Sequence, residues 1–176
     1  NQALRQRNSL LKLFAETRSM DATALDTYDE MLIRLGTPVF EKRRQFVAAY
    51  GPVFQRFYNF IVEDEEAAII YNSELNTTLF QEGLLQSRSR DLALQRTSFG
   101  IHRDDYQFSL GPGDLKRLGS QGQQKSFIIA LKLAQFDVIK QNKGFRPLLL
   151  LDDIFDKLDD FRIEKLLELI KNDELG

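Results

Sequence analysis

Apolar residues between Leu4 and Ile61 recur at steps of three and four positions, with leucine and aromatic residues predominating. This period places them on one face of a helix, so the pattern predicts amphipathic helices that pack through that face. Asp21 stands where it can cap the second of these helices. Gly36-Thr37-Pro38 and Gly51-Pro52 contain the residues that most often interrupt helices. The pattern therefore predicts four successive helices, with breaks or kinks at these two places.

The remainder of the chain alternates between strand-like and helical patterns that turn residues separate. An acidic run from Glu63 to Glu66 is typical of a solvated turn. Gly111-Pro112-Gly113 is a turn signal that directly follows a predicted strand. The predicted elements are strands over residues 67–71 and 106–110, and helices over residues 75–94, from the Gly119–Gly122 loop to about residue 141, and over residues 161–170.

The most apolar run, Leu148 to Leu151, follows Pro147 and ends in Asp152 and Asp153. An uninterrupted apolar run of this length is typical of a strand buried on both faces, as in a parallel sheet under helices. Ligands of open α/β sheets bind at the carboxyl edge of such strands. One carboxylate there can hold Mg²⁺, and a second can orient or deprotonate an attacking water. Taken alone, the run also fits a strand whose end simply becomes polar.

A second candidate site lies at Gly119 to Lys125, directly before the long predicted helix. Ser120 is a candidate N-cap, and the flanking glycines let backbone N–H groups approach a ligand closely. The amino-terminal end of a helix carries about half a positive charge. These features favour an anion, and phosphate is the natural occupant. The alternative interpretation is an ordinary capped helix with a flexible entry.

Composition narrows the classes of protein that remain. The 176 residues suit one domain, or one compact domain with a helical appendage. Cysteine is absent, which excludes a disulfide framework, a zinc-thiolate site and a thiol nucleophile, and fits a reducing compartment. The net charge of -2 gives no global positive field for nucleic acid. No apolar run approaches the roughly 20 residues of a membrane span, and we expect no signal peptide.

Together, the two candidate sites have the order and spacing found in the second half of an ABC-type ATPase head, which this part of the chain resembles. In that class a signature loop opens a helix and the Walker B strand follows. The resemblance implies that Asp152 is the Mg²⁺-associated aspartate and that Asp153 holds the catalytic position, where most such ATPases carry glutamate. It assigns the signature loop to Ser120, Gln121, Gly122 and Gln123, and the D-loop at the dimer interface to Asp156, Lys157, Leu158 and Asp159.

The match narrows to the RecF family of bacterial DNA replication and repair proteins, which the chain resembles from about Leu4 to Leu169. The run from Gly119 to Asp159 is the most specific part. Ile101 departs from the family pattern, which usually has proline there. The other matching segments are Gln6-Arg7-Asn8, Leu10-Leu11-Lys12, Gly100 to Asp105, Ala130 to Gln135 and Asp152-Asp153.

The resemblance implies an α+β or α/β fold. It comprises a mainly helical arm, residues 1–96, and the carboxyl-terminal part of an ABC-type P-loop ATPase head, residues 97–176. The implied protein binds ATP with Mg²⁺ and forms an ATP-dependent homodimer. It also binds double-stranded DNA near junctions with single strands and helps load a recombinase with RecO- and RecR-type mediators. No membrane partner is implied, and we expect a cytoplasmic protein.

The chain contains no Gly-x-x-x-x-Gly-Lys-Ser/Thr, the loop that holds the β- and γ-phosphates. In the family this P-loop lies near the natural amino terminus, so we expect it before Asn1, and a further strand beyond Gly176. The chain alone is therefore not expected to hydrolyse ATP. The resemblance implies that Asp152 and Asp153 serve the P-loop of the same polypeptide. Ser120 and Gly122 would cover the γ-phosphate held by the opposing subunit.

Two further groups are candidates for binding. His102, the only histidine, and Arg103 could belong to a nucleotide or interface site, although a lone histidine is more often structural. Lys42, Arg43 and Arg44 could contact DNA phosphates, or could form a solvated helix face.

Two other functions remain open at this point. The chain could be a metal-dependent nuclease that uses Asp152, Asp153 and Asp156, although that scheme gives the loop at Gly119 no role. It could also be a helical interaction module without catalysis, in which the loop is only a helix cap.

Overall fold

The computed structural model describes residues 2–63, 65–145, 147–150, 152, 154 and 156–171. Within these ranges, helices contain most of the residues and three short strands form one sheet. The helices are α1 (Gln2–Thr17), α2 (Ala22–Ile61), α3 (Phe80–Leu94), α4 (Leu115–Leu118), α5 (Gln121–Lys143) and α6 (Asp160–Lys171), and the strands are β1 (Ala67–Asn72), β2 (Asp105–Leu110) and β3 (Gly113–Asp114). None of the described helices combines the length and apolar character needed to cross a membrane.

Helix α2 runs without interruption for 40 residues, so the predicted breaks at residues 36–38 and 51–52 are wrong. Asp21 caps it as predicted, accepting a hydrogen bond from the N–H of Ala24 at 3.1 Å. A proline inside a helix costs about 3 kcal/mol, whereas each large apolar side chain that is buried contributes about 1.5–3 kcal/mol. The buried side chains of α2 outweigh its two prolines, and they are Leu25, Phe40, Tyr50, Phe54, Phe57, Tyr58 and Ile61.

The segment predicted as a helix from residue 75 begins instead with a short 3₁₀ turn, Glu74–Asn76. The hydroxyl of Ser73 accepts a hydrogen bond from the N–H of Leu75 at 3.2 Å, which caps that turn. Serine side chains that bond to nearby backbone in this way compete with a continuous helix. Helix α3 starts only at Phe80, whose ring lies over Gly36. A Cβ at Gly36 would lie 2.6 Å from Cε1 of that ring, so the packing requires glycine in the middle of α2.

The three strands form a sheet in the order β1-β2-β3. Strands β2 and β3 are antiparallel, with Ser109 opposite Asp114 and Leu110 opposite Gly113. The strands predicted over residues 67–71 and 106–110 are therefore confirmed to within one residue at each end.

The chain groups into two compact units, each with its own interior. The first contains Asn1–Gln45 and Tyr71–Tyr106, and the second contains Phe46–Ile70 and Gln107–Gly176. The assignment of residues 1–96 to an arm and 97–176 to a head stays a prediction. The compact units reflect packing alone, and the chain enters each of them twice.

The first unit has a charged group at its centre. Arg7 on α1 is fully buried, with 0% of its surface exposed. Its Nε donates a hydrogen bond to Asp29 on α2 at 2.7 Å. Its Nη1 donates to Asp91 on α3 at 2.7 Å and to Thr97 at 2.9 Å. Arg88 on α3 also binds Asp29, at 2.7 Å. This group of side chains, the Arg7 network, joins α1, α2 and α3 through buried ion pairs. Removing one partner of such a pair would leave the other charge buried without compensation.

The second unit has a large apolar interior, built mainly from α2, α5 and α6. The ring of Phe127 on α5 lies 4.5 Å from that of Phe54 and 5.8 Å from that of Tyr58. Aromatic pairs of this kind contribute about 0.5–1.5 kcal/mol beyond their buried area. The other buried members include Ile61, Val62, Ala67, Leu115, Ile129, Ala130, Leu133, Ala134, Ile154, Leu166 and Leu169. This interior includes residues of α5 and α6, and the candidate site lies between the starts of these two helices.

Residues 147–150 do not form a strand, so the predicted strand buried on both faces is wrong for them. Leu148 is 94% exposed and Leu150 is 89% exposed, although Leu149 packs against the interior of the second unit. Leu151 lies outside the described residues. A strand buried on both faces needs flanking partner strands. The three strands described here pair with one another instead.

Candidate functional site

Ser120 caps helix α5, as predicted. Its hydroxyl accepts a hydrogen bond from the N–H of Gln123 at 3.2 Å, and the side-chain oxygen of Gln123 accepts one from the N–H of Ser120 at 2.8 Å. This reciprocal arrangement is a capping box, which satisfies two backbone donors. The N–H groups of Gln121 and Gly122 precede the first helical hydrogen bonds. With the Ser120 hydroxyl hydrogen, they can bind an anion at the positive end of the helix.

Behind the loop, the side chain of Gln123 is held by an acid. Its Nε2 donates a hydrogen bond to Oε1 of Glu65 at 2.9 Å. The hydroxyl of Tyr58 donates to Oε2 of the same carboxylate at 2.7 Å. Burial raises the pKa of the Tyr58 hydroxyl, and the neighbouring Glu65 carboxylate raises that pKa further. Tyr58 therefore stays a neutral donor at physiological pH, and Glu65 has a partner on each oxygen.

The loop also lies against the segment that precedes α6. A Cβ at Gly122 would lie 3.3 Å from the carbonyl oxygen of Lys157 and 2.8 Å from Nη1 of Arg162. Lys157 has a φ of 63°, in the left-handed region, which turns the chain toward α6. The carboxylate of Asp159 accepts a hydrogen bond from the N–H of Arg162 at 2.9 Å, and so caps α6. The structure therefore brings Gly122 of the predicted signature loop beside Lys157 of the predicted D-loop.

The predicted acids differ in how far they can be described. Asp152 and Asp156 are exposed, and Asp153 lies outside the described residues. Leu158 is partly buried and packs against the interior of the second unit. No three or more His, Cys, Asp or Glu side chains, within the part of the chain that the structure describes, are grouped to hold a metal ion. Magnesium at nucleotide sites usually takes one or two carboxylates, with waters and phosphates as its other ligands. An exposed carboxylate at Asp152 fits that chemistry.

His102 and Arg103 lie in the first unit and are both exposed. The Nε2 atom of His102 lies 3.0 Å from the carbonyl oxygen of Thr97. The backbone N–H of Arg103 donates to the carbonyl of Gly100 at 2.9 Å. His102 also lines a cavity of about 410 Å³ whose walls are mostly apolar, including Phe80. These two residues are not among those that surround Ser120 within the second unit.

The three cations at residues 42–44 are not equivalent. Lys42 is exposed. Arg43 donates a hydrogen bond to Asp104 at 3.0 Å, and Arg44 donates one to Glu41 at 2.8 Å. Arg43 and Arg44 thus have carboxylate partners, whereas Lys42 has no ion pair among the described contacts. Lys42 is therefore the best candidate of the three for binding a phosphate.

Sequence reasoning missed Glu65, Tyr58 and Arg162. Glu65 belongs to the acidic run, residues 63–66, whose pattern predicts a solvated turn, and nothing in that pattern distinguishes it from its neighbours. The one available signal was the Ser-x-x-Gln spacing at Ser120, which is that of a capping box. That spacing predicts the orientation of the Gln123 side chain. It does not identify the carboxylate that accepts a hydrogen bond from Nε2 of Gln123.

Helices predominate and the described strands form one small sheet, so the fold is of the α+β class, and it matches a solved structure of an ABC-type ATPase. No protein-family model matches the sequence. The chain is 44% identical over 172 residues to the DNA replication and repair protein RecF of Cytophaga hutchinsonii, covering 97% of this chain and 46% of that protein. It is 43% identical over 178 residues to RecF of Phocaeicola vulgatus, covering 100% of this chain and 47% of that protein.

Solved structures agree. A structure described as the recombination mediator protein RecF-ATP in the RecFOR pathway matches with a TM-score of 0.80 and 29% identity, covering 96% of this chain and 47% of that one. Over nearly its whole length, the chain is therefore homologous to one half of RecF. It spans about half the length of the curated relatives it matches.

Proposed function

We propose that the chain forms the carboxyl-terminal half of the ATPase head, with the helical arm, of a RecF-type DNA replication and repair protein. The similarity to RecF over nearly the whole chain supports this. The observation that carries the proposal is the contact between the Ser120 loop and the segment before α6. Gly122 lies beside the Lys157 carbonyl, where a Cβ would come within 3.3 Å of the oxygen, so a side chain at that position would require its neighbours to move.

The Ser120 loop is proposed to bind the γ-phosphate of ATP held by an opposing subunit. Its donors are the Ser120 hydroxyl and the N–H groups of Gln121 and Gly122, which lie at the positive end of α5. A phosphate bridging two subunits stabilises the dimer, because it binds the assembled state better than the separated one. Dimerisation of the whole protein is therefore proposed to depend on ATP.

Asp152 is proposed to hold Mg²⁺, directly or through water, beside the triphosphate of its own polypeptide. When bound, the ion would neutralise part of the phosphate charge. Asp153 is proposed, from the family resemblance, to orient or deprotonate the attacking water. The D-loop role of Asp156 to Asp159 is likewise a proposal, which the position of Lys157 beside Gly122 supports.

Double-stranded DNA, in particular at junctions with single strands, is the proposed partner of the closed dimer. RecO- and RecR-type mediators are proposed to act with it in loading a recombinase. Since the name of the matching structure places RecF in the RecFOR pathway, these partners are proposed for this chain through that similarity. Lys42 is the proposed phosphate contact on the arm, because a lysine supplies sequence-independent attraction to DNA. We propose that the whole protein acts in the bacterial cytoplasm.

The test is Ser120→Arg in the full-length protein, which places a long side chain where the opposing phosphate approaches. We expect ATP to bind each subunit with an unchanged Kd but no longer to cause dimerisation. Analytical ultracentrifugation with and without ATP measures the second effect, and equilibrium titration measures the first. Ser89→Arg, at an exposed position of α3, is the control and should dimerise normally.

Other outcomes would contradict the proposal. If Ser120→Arg dimerises like the unaltered protein, Ser120 does not act across the interface. Cleavage of DNA with Mg²⁺ and without ATP would favour a nuclease. Binding of a partner that ATP leaves unchanged would favour an interaction module.

A further inference from the structure

Within the described part of the second unit, the carboxylate of Glu65 accepts hydrogen bonds on both oxygens from groups outside its own loop. Tyr58 donates a hydrogen bond to Oε2 at 2.7 Å, and Gln123 donates one to Oε1 at 2.9 Å. The Nη2 atom of Arg162 lies 4.0 Å from Oε1. The side chain of Glu65 is 27% exposed and that of Arg162 is 16% exposed. The carboxylate is thus shielded, but it does not touch the groups proposed to bind phosphate.

The link from Glu65 to the loop passes through a single amide. Gln123 donates to Glu65 with Nε2 and accepts from the N–H of Ser120 with Oε1. Both partners require the same orientation of that amide, because reversing it would point nitrogen at a donor and oxygen at a carboxylate. The charge of Glu65 strengthens the first of these bonds, since hydrogen bonds to ionised groups are stronger than neutral ones.

A second link passes through Arg162. Its guanidinium lies near Glu65, lies 3.5 Å from Asp159, and occupies the space next to Gly122. Loss of the Glu65 carboxylate would therefore weaken the electrostatic support of Arg162 at the start of α6, as well as remove the hydrogen bond to Gln123 at the start of α5. The same carboxylate contacts both segments that the proposed function places at the phosphate and at the dimer interface.

We propose that Glu65 is a positioning residue. It holds the amide of Gln123 and the guanidinium of Arg162, and so fixes the Ser120 loop in the geometry that receives a phosphate from a second subunit. This inference rests on the proposed function for the phosphate. The anchoring of the loop can be measured without nucleotide.

The first measurement is hydrogen exchange of the Ser120 backbone amide in the nucleotide-free, full-length protein. In Glu65→Ala the Gln123 amide loses its outer partner, and we expect the Ser120 amide to exchange about five-fold faster, as for the loss of one hydrogen bond. Glu65→Gln keeps an acceptor for Gln123 and should return the rate close to that of the unaltered protein. Glu63→Ala, at an exposed position of the same acidic run, is the matched control.

The second measurement is the ATP concentration needed for half-maximal dimerisation. We expect it to rise about five-fold in Glu65→Ala, matching the same lost hydrogen bond, while the Kd for ATP binding to the monomer is unchanged. A loss of overall fold would move both, so this split separates positioning from general stability. Exchange at Ala130, buried in the middle of α5, reports directly on the fold. If Glu65→Ala does not fold, Glu65→Asp replaces it with the same expectation, because it withdraws the carboxylate by one methylene.

The two measurements fail in different ways. Exchange at Ser120 that is unchanged in Glu65→Ala overturns the anchoring by Glu65, whatever the protein does with ATP. Accelerated exchange with an unchanged ATP requirement overturns the positioning role. Absence of ATP-dependent dimers in the unaltered protein overturns the proposed function, and exchange at Ser120 then still decides whether Glu65 anchors the loop.

Discussion

The Arg7 network allows a quantitative prediction about the stability of the first unit. In Arg7→Met the buried guanidinium is lost, and the side chains of Asp29 and Asp91, which are 8% and 0% exposed, keep their negative charge. Removing one partner of a buried ion pair costs about 3–5 kcal/mol, because the other charge stays buried without compensation. Methionine fills a similar volume, so the loss of packing is a small part of the effect.

The contacts that remain place the cost at the lower end of that range. Asp29 keeps Arg88 at 2.7 Å. Asp91 keeps the N–H and hydroxyl of Ser98 at 2.8 Å and 2.6 Å. The Nη2 group of Arg7 is buried without a hydrogen-bond partner in the described structure, which already reduces the net stabilisation. We therefore expect Arg7→Met to lower the free energy of unfolding by about 3 kcal/mol.

Urea unfolding of the 176-residue chain, followed by far-UV circular dichroism, measures this difference. Adding Asp91→Asn to Arg7→Met should restore part of the loss, because the uncompensated charge is then removed. Arg5→Met, at an exposed position of the same helix, should stay within about 0.5 kcal/mol of the unaltered chain. A loss below about 1 kcal/mol in Arg7→Met, or no recovery in the double variant, would refute the reasoning.

Two further predictions concern packing and pH. A Cβ at Gly83 would lie 2.1 Å from the Phe99 ring, whereas no atom of the described residues lies within 4 Å of one at Gly51. We expect Gly83→Ala to lower the free energy of unfolding by about 1–3 kcal/mol, because the added methyl group overpacks the interior. Gly51→Ala should leave the free energy of unfolding unchanged or raise it by up to about 1 kcal/mol. Thermal unfolding measures both variants, and equal effects of the two would contradict this prediction. Burial and the hydrogen bond to Asp104 raise the pKa of Tyr71 from 10.0 to about 12. Since the neutral phenol is favoured in the folded state, its contribution is complete below pH 10 and is lost as the pH rises through about 12. An absorbance titration of Tyr71→Phe should therefore lack one tyrosinate transition near 12, and an unchanged titration would show that Tyr71 is not shielded.

How much the sequence predicts depends on how local the cause is. The cap of α5 was predictable because Ser120 and Gln123 act within one helical turn. The continuity of α2 was not predictable from local sequence. The glycine at position 36 makes room for the ring of Phe80, which is distant along the chain, and does not mark the end of a helix. Propensity at Pro38 and Gly36 favours a break, and the burial of the apolar face outweighs it.

The candidate site shows the same contrast. Motif spacing identifies the loop at Ser120 and the acids after residue 151 as candidates, and their roles stay a prediction. Glu65 was not found, because its importance comes from Tyr58 and Gln123 converging on it in space. The apolar run at residues 148–150 misled for a related reason, since its pattern assumes neighbouring strands that the described chain does not supply.

Leu148 and Leu150 set a practical condition for biochemical work on this chain. With 94% and 89% of their surfaces in contact with solvent, these two leucines are exposed apolar side chains that favour association between molecules in a purified sample. Concentrated preparations should precipitate or scatter light, and mild detergent should clear them. A charged replacement such as Leu148→Lys would be a sensible first step before crystallisation or spectroscopy.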